Sequence, residues 1–270
     1  MLERKRLGFI GGGNMATALI RGMLAAKLAT PEQILVADID AAKTSKLVAA
    51  HGIVATPDNL ELVKRSDVVL LAVKPQNMNA VLAQIAPAVR DGQCFISIAA
   101  GAILSRLEGV LGPHARVIRV MPNTPALIGC GAAGIARGHA ATDDDVVLAR
   151  AIFEAVGLAV VLDEKHLDAV TAVSGSGPAY VFLFVEALLE AAEWVGLERE
   201  VAQALVRQTV LGAARMVNET GQTPAQLREA VTSPGGTTAA ALTVLREGGF
   251  DDLLVRAVQA AKARSIELGK

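Results

Sequence analysis

From residue 6 to about residue 162 the chain repeats one pattern: a short apolar run, a turn, then a stretch with apolar residues at helical spacing. The short runs are "RLGFI", "QILVAD", "GIVAT", "DVVLLAV", "QCFISIA", "ARVIRVM", "CGAAGIA" and "LAVVL". Runs this short, with so little polar alternation, suit strands buried on both faces. Strands separated by helices pair in parallel through right-handed crossovers, so the pattern predicts a mostly parallel sheet with helices on both sides. The core is built from small and branched aliphatic residues, because 52% of the chain is hydrophobic and only 3% aromatic.

After Glu164 the strand pattern stops. "AYVFLFVEALLEAAEWVGL", "REVAQALVRQTVLGAARMVNET", "TPAQLREAV", "TTAAALTVLREG" and "FDDLLVRAVQAAKARSIEL" carry apolar residues at helical spacing, separated by Gly, Pro and Thr. The expected fold is therefore an α/β doubly wound sheet over residues 1–163, followed by an all-α bundle over residues 164–270. Several of those helices are apolar around most of their circumference, which predicts that a second copy covers part of them. Just before the boundary, "ATDDDVVLARAIFEAVG" reads as a helix with an acidic first turn. Asp143, Asp144 and Asp145 there suit capping and the helix dipole better than metal ligation.

Charge narrows the partners. Lys plus Arg number 26 against 27 Asp plus Glu, a formal net charge of −1, so no basic field exists to hold nucleic acid or an anionic membrane. A small molecule fits better. Cys94 and Cys130 lie in apolar sequence and read as reduced core thiols, and His51, His114, His139 and His166 are scattered without ligand spacing. The opening "MLERKRLGFI" has no long apolar stretch and no later segment reads as an uninterrupted membrane span, so a cytoplasmic location is expected.

The first chemistry lies at "GFIGGGNMA". Gly11-Gly12-Gly13-Asn14-Met15-Ala16 is G-x-G-x-x-A between a predicted strand and a predicted helix. Gly11 permits the tight turn, Gly13 lets a pyrophosphate approach the helix N-terminus, and Ala16 lets helix and strand pack closely. Asp38 ends the next strand, where a carboxylate accepts from ribose hydroxyls. Farther on, Pro75 holds Lys74 extended as the chain leaves a strand, and "SIAAG" at 97–101 is small enough for a flat ring to lie against the backbone.

A second glycine loop, Ser233-Pro234-Gly235-Gly236-Thr237-Thr238, stands before an apolar helical run. Ser233 reads as its N-cap, and the N–H groups of Gly235, Gly236 and Thr237 would face the positive end of the helix dipole, an anion seat. A well-capped helix without a ligand is the competing reading.

Together with "AVKPQ" at 72–76, "SIAAG", "MPNTPA" at 121–126, "AVSGSGPAY" at 172–180 and "SPGGTT" at 233–238, the chain resembles pyrroline-5-carboxylate reductase over essentially its whole length. That resemblance implies a Rossmann domain and a helical domain that dimerises, often assembling further into decamers. It implies reduction of Δ1-pyrroline-5-carboxylate to L-proline with NADPH or NADH, the last step of proline synthesis. It places the cofactor on Gly11, Gly12, Gly13, Asn14, Met15, Asn59, Ala72, Val73, Lys74, Pro75, Ala99, Ala100, Gly101 and Asn123, while Asp38 is assigned to the cofactor from its strand-end position, where many reductases of that family have a small polar or basic residue and favour NADPH. The substrate falls to Ser174, Gly175, Ser233, Gly235, Gly236, Thr237 and Thr238, with Thr238 as the catalytic contact to the ring nitrogen. Which threonine takes which role stays open.

Two alternatives remain at this level. A β-hydroxyacid dehydrogenase-like enzyme needs a lysine early in its second domain as proton partner, but no lysine occurs between Lys165 and Lys262. A dinucleotide sensor without catalysis would have no use for "SPGGTT".

Overall fold

The computed structural model describes residues 5–269; Met1–Arg4, at the head of the first expected domain, and Lys270, at the tail of the second, lie outside it. Among the described residues eight strands form one sheet: β1 (Leu7–Ile10), β2 (Ile34–Ala37), β3 (Val54–Ala55), β4 (Val68–Leu71), β5 (Cys94–Ser97), β6 (Arg116–Met121), β7 (Gly131–Arg137) and β8 (Gly157–Val161). Each apolar run of the sequence coincides with one of them to within two residues at either end, the short β3 taking up only Val54–Ala55 of its run. Their order is β3-β2-β1-β4-β5-β6-β7-β8. Every pairing is parallel except β6 with β7. That exception follows from length, because the connection from Met121 to Gly131 is too short for a crossover and must return antiparallel.

Helices α1 (Asn14–Ala25), α2 (Ala41–His51), α3 (Asn59–Arg65), α4 (Met78–Ile85), α5 (Leu104–Leu111) and α6 (Asp143–Glu154) cover both faces. Because side chains alternate along a strand, Leu7 and Phe9 of β1 pack with Leu19 of α1, Leu47 of α2 and Phe153 of α6. Ile10 faces the other way, toward Leu62 of α3, Leu82 of α4 and Leu107 of α5. The acidic start of α6 is a cap, as expected: Thr142 accepts from the Asp145 N–H, while the buried Asp145 carboxylate accepts from the Thr142 N–H at 2.9 Å.

Beyond the sheet come α7 (Leu167–Val170), α8 (Gly177–Trp194), α9 (Arg199–Glu219), α10 (Pro224–Ala230), α11 (Thr237–Glu247) and α12 (Phe250–Leu268). The chain packs as two compact units. One runs through the sheet to Ser176 and takes in the segment from Ala261 onward; the other is Gly177–Ala260. Within the second unit α8 and α9 lie together around Ala192, Ala202 and Val206, a small core that leaves Phe182 61% and Trp194 88% exposed.

Two sequence expectations need correction. Helical backbone extends over Glu164–Trp194, 31 residues, and by length and composition that is enough to cross a membrane. The "SGSGP" segment is rich in residues that weaken a helix, yet the chain passes it with a π turn at Thr171–Gly175. Cys130 is exposed, not a core thiol, because it leads out of a surface turn into β7, while Cys94 is buried at the start of β5.

Burial, followed by the nearby Asp145 carboxylate, pushes the Cys94 thiol up from 9.0 to about 12. A raised thiol pKa favours the fold fully below pH 9.0, and that contribution is lost as pH rises toward 12. Titration of the native protein with an aromatic disulfide at pH 8 should therefore modify Cys130 within minutes. Cys94 should react only on unfolding, and rapid modification of both thiols in the native state would contradict this packing.

Candidate functional site

The order of the strands puts a crevice beyond the carboxyl ends of β1 and β4, where the connections diverge to opposite sides of the sheet. Gly11 turns the chain there. Its φ of +103° suits glycine, its N–H donates to the Ala37 carbonyl at 2.8 Å, and an added Cβ would lie 2.6 Å from the Ala72 carbonyl oxygen. Gly13 then caps α1 in an extended conformation, and a Cβ on it would meet nothing within 4 Å. The first N–H groups of α1 consequently open onto bare space at the positive end of the helix dipole.

Asp38 follows β2 and reaches back to this turn. Its Oδ2 accepts from the Gly12 N–H at 2.8 Å, its Oδ1 from the Asp40 N–H at 2.9 Å, and Lys43 Nζ stands 3.7 Å away. A cleft of about 590 Å³ lies alongside, lined by Gly11, Gly13, Asp38, Asn59, Ala72, Val73 and Lys74. Asn59, in the first turn of α3, donates to Gln84 Oε1 at 2.8 Å. Lys74 is extended, with φ −63° and ψ 145°, and Pro75 opens a single 3-10 turn after it. Met15 points away and packs against the core on the β1 face.

Ala99, Ala100 and Gly101 leave the carboxyl end of β5, beyond the residues that line the cleft. Next to them the Leu104 N–H donates to Glu164 Oε1 at 2.7 Å, and the same oxygen takes a 2.9 Å bond from the buried Arg119. Asn123 is likewise outside the cleft lining. Its side-chain amide donates to Ser174 O and Oγ, both at 3.2 Å, and its Oδ1 accepts from the Ala132 N–H at 2.8 Å. One residue on, a Cβ at Gly175 would collide with Met121 Cε. Asn123, Ser174 and Gly175 thus form one joint between the end of β6 and the π turn.

The second glycine loop departs from its expected capping. The N-cap of α11 is Gly236, not Ser233, and no side chain caps it. The Gly236 N–H is held by the Ser233 carbonyl at 3.0 Å, and Gly235 sits at φ +70°. The tight turn from Ser233 to Gly236 needs that bond, so the donors open to a ligand shift one residue on, to the first-turn N–H groups of Thr237 and Thr238.

Comparison with known proteins bears on these two loops together. Residues 6–101 match the family described as NADP oxidoreductase coenzyme F420-dependent, and residues 164–268 match pyrroline-5-carboxylate reductase dimerisation. A pyrroline-5-carboxylate reductase from Synechocystis sp. is 46% identical over 98% of both chains. The solved pyrroline-5-carboxylate reductase of Coxiella burnetii is 41% identical with a TM-score of 0.93, covering 98% of this chain and 99% of that one. The Plasmodium falciparum enzyme, solved with NADP bound, is 33% identical with a TM-score of 0.87 over 99% of both. The chain belongs to the pyrroline-5-carboxylate reductase family. Among pyrroline-5-carboxylate reductases it therefore takes its place as an oxidoreductase, and the dehydrogenase-like and sensor alternatives fall away.

The cleft is also lined by residues that the sequence reading passed over. Gln76, Ala80 and Gln84 line it from the turn after Pro75 and from α4. Their spacing of four puts them on one helical face, a signal that could have been read directly from "QNMNAVLAQ".

Gly11 and Gly13 should fail differently. Gly11→Ala meets both a backbone carbonyl and an unfavourable φ, so chemical denaturation should show a loss of about 1–3 kcal/mol in stability. Gly13→Val projects into open space, so its melting temperature should stay near the parent's while calorimetry shows dinucleotide affinity falling by at least about tenfold, 1.4 kcal/mol. Equal destabilisation by the two would refute the distinction.

Proposed function

We propose that the cleft beside β1 and β4 holds a nicotinamide dinucleotide, NADPH or NADH, and that the first turn of α11 holds the carboxylate of Δ1-pyrroline-5-carboxylate. The enzyme reduces that cyclic imine to L-proline, the last step of proline synthesis. The observation that carries the cofactor reading is the bare Gly13 at the mouth of α1, a cradle that any side chain would fill. Gly11, Gly12, Asn14 and Met15 shape the pyrophosphate turn, and Asp38 stands at the adenosine ribose. Asn59, Ala72, Val73, Lys74 and Pro75 flank the middle of the cofactor, and Ala99, Ala100 and Gly101 its nicotinamide end.

When bound, the cofactor supplies a hydride. The chain's own task is then orientation and charge. A protonated imine already accepts hydride and leaves an amine, so no alkoxide needs a proton partner, in keeping with the absence of lysine between Lys165 and Lys262. The Thr237 and Thr238 N–H groups at the start of α11 take the carboxylate, Ser233, Gly235 and Gly236 fix their turn, and the Thr238 hydroxyl is assigned to the ring nitrogen. Ser174 and Gly175, set by Asn123, complete the substrate-binding set.

The apolar faces of α8 and α12 are assigned to a homodimer interface that can assemble further into a decamer. This reading explains the long run Glu164–Trp194 as a subunit contact rather than a membrane span, supported by the dimerisation match over residues 164–268. The enzyme then works in the cytoplasm on a small molecule, with no nucleic-acid or membrane partner.

The purified protein should consume reduced nicotinamide, followed by loss of its near-ultraviolet absorbance, when given Δ1-pyrroline-5-carboxylate, and ignore hydroxyisobutyrate. Turnover of the hydroxy acid without imine activity would sink the proposal.

Asp38 sets the choice between the two cofactors. A carboxylate beside a 2′-phosphate is repelled by about 1–4 kcal/mol at contact distance, depending on the effective dielectric, while Lys43 at 3.7 Å offsets part of that. Both cofactors should bind, with NADH favoured by Asp38. Asp38→Ser should shift the kcat/KM ratio toward NADPH, and an unchanged ratio would show that Asp38 does not face the ribose.

A further inference from the structure

We infer that the last turn of α12 is a positioning element for the nicotinamide-side loop Ala99–Gly101, an inference that rests on the reading of the cleft as the dinucleotide site. The sheet order β2-β1-β4-β5 gives the direction of the bound molecule. With Asp38 at the end of β2 and the glycine turn at the end of β1, an extended dinucleotide continues across β4 and reaches β5, whose carboxyl end is this loop.

The loop cannot hold itself. Two alanines and a glycine have no side chain with which to anchor a backbone. Local bonds are few and long: the Ala99 N–H donates to Ser97 Oγ at 3.4 Å and the Ala102 N–H to Ala99 O at 3.3 Å, while the Ile98 N–H just before the loop donates to Leu71 O of β4 at 3.2 Å. Support comes from outside on two sides. On one, Glu164 accepts from the Leu104 N–H at 2.7 Å and is itself fixed by Arg119. On the other lies the end of α12, where Gly101, at φ +74°, comes so near that an added Cβ would be 2.8 Å from the Leu268 carbonyl oxygen. A Cβ on Gly269 would likewise be 3.3 Å from Ile103 Cγ2.

The end of α12 is in turn fixed by one polar contact. Ser265, 5% exposed, donates from Oγ to Asp168 Oδ1 at 2.7 Å. Asp168 is on α7, one turn beyond Glu164, so both supports of the loop return to the same short segment, residues 164–168. Loosening Ser265 releases the α12 support and leaves the Glu164 support in place. A side chain at Gly101 wedges the two apart.

Calorimetry with NADH and with ADP-ribose separates this effect from the rest of the site, because ADP-ribose lacks the nicotinamide and reaches only the glycine turn and Asp38. Ser265→Ala and Gly101→Ala should each weaken NADH by about tenfold and leave ADP-ribose within about twofold of the parent. In turnover, kcat should fall by about tenfold or more through misplacement of the reacting carbon, with KM for the pyrroline carboxylate nearly unchanged. Ser265→Thr, which keeps the hydroxyl, should restore both readings. Unchanged NADH affinity in both alanine variants would overturn the inference, as would parallel losses of NADH and ADP-ribose, which mark general damage to the unit. If ADP-ribose does not bind the parent protein, the reading of the cleft fails, and this inference with it.

Discussion

Just past the ends of β1 and β4 two backbones meet: Gly11 turns at φ +103° directly against the Ala72 carbonyl. Much of the rest is a consequence. With no Cβ at that point the chain can leave the sheet at once, start α1 at Asn14 and aim its unbonded N–H groups across the carboxyl ends of the strands. A larger turn would move the helix away from β4 and fill the crevice with side chains. The surrounding core reinforces the geometry, since buried Ala16 and Leu19 press α1 onto the same sheet face that Phe9 occupies.

Electrostatics then act on a frame already shaped by packing. Asp38 is held by two backbone N–H groups, so its carboxylate keeps one orientation whichever way Lys43 swings. Arg119 and Glu164 form a pair of another kind, with the guanidinium side chain 5% exposed and the carboxylate 31%. Removing the glutamate would leave a buried charge without its partner, which is far more damaging than losing an exposed pair. The two acidic residues serve unlike ends, one facing a cleft and one bracing a loop.

Strand positions were legible because each run is short, almost wholly apolar and closed by a turn, and the eight runs became eight strands. The glycine turn was legible for a similar reason, since its spacing encodes a local conformation. Less visible were features decided by contacts between distant residues. Nothing local to Cys130 shows that its turn lies at the surface, and "SGSGP" looks like a break until a π turn carries the helical backbone past it. At the second glycine loop the residue types were read correctly as a turn before a helix. The capping residue was misplaced, because the bond from the Gly236 N–H to Ser233 O draws the turn tighter than a serine cap would. The loop between Asn123 and Ser174 belongs to the same class, a contact across 51 residues that no periodicity announces.

That last joint carries a chemical vulnerability. The amide of Asn123 is oriented by three hydrogen bonds, donating on one side and accepting on the other. Exchanging the amide for a carboxylate, as in Asn123→Asp, would keep the size of the side chain and reverse the polarity of one side. An oxygen would then face the Ser174 carbonyl where a donor had been, and the π turn would be pushed from the end of β6. The joint therefore depends on the polarity of a single side chain and not only on how well it packs.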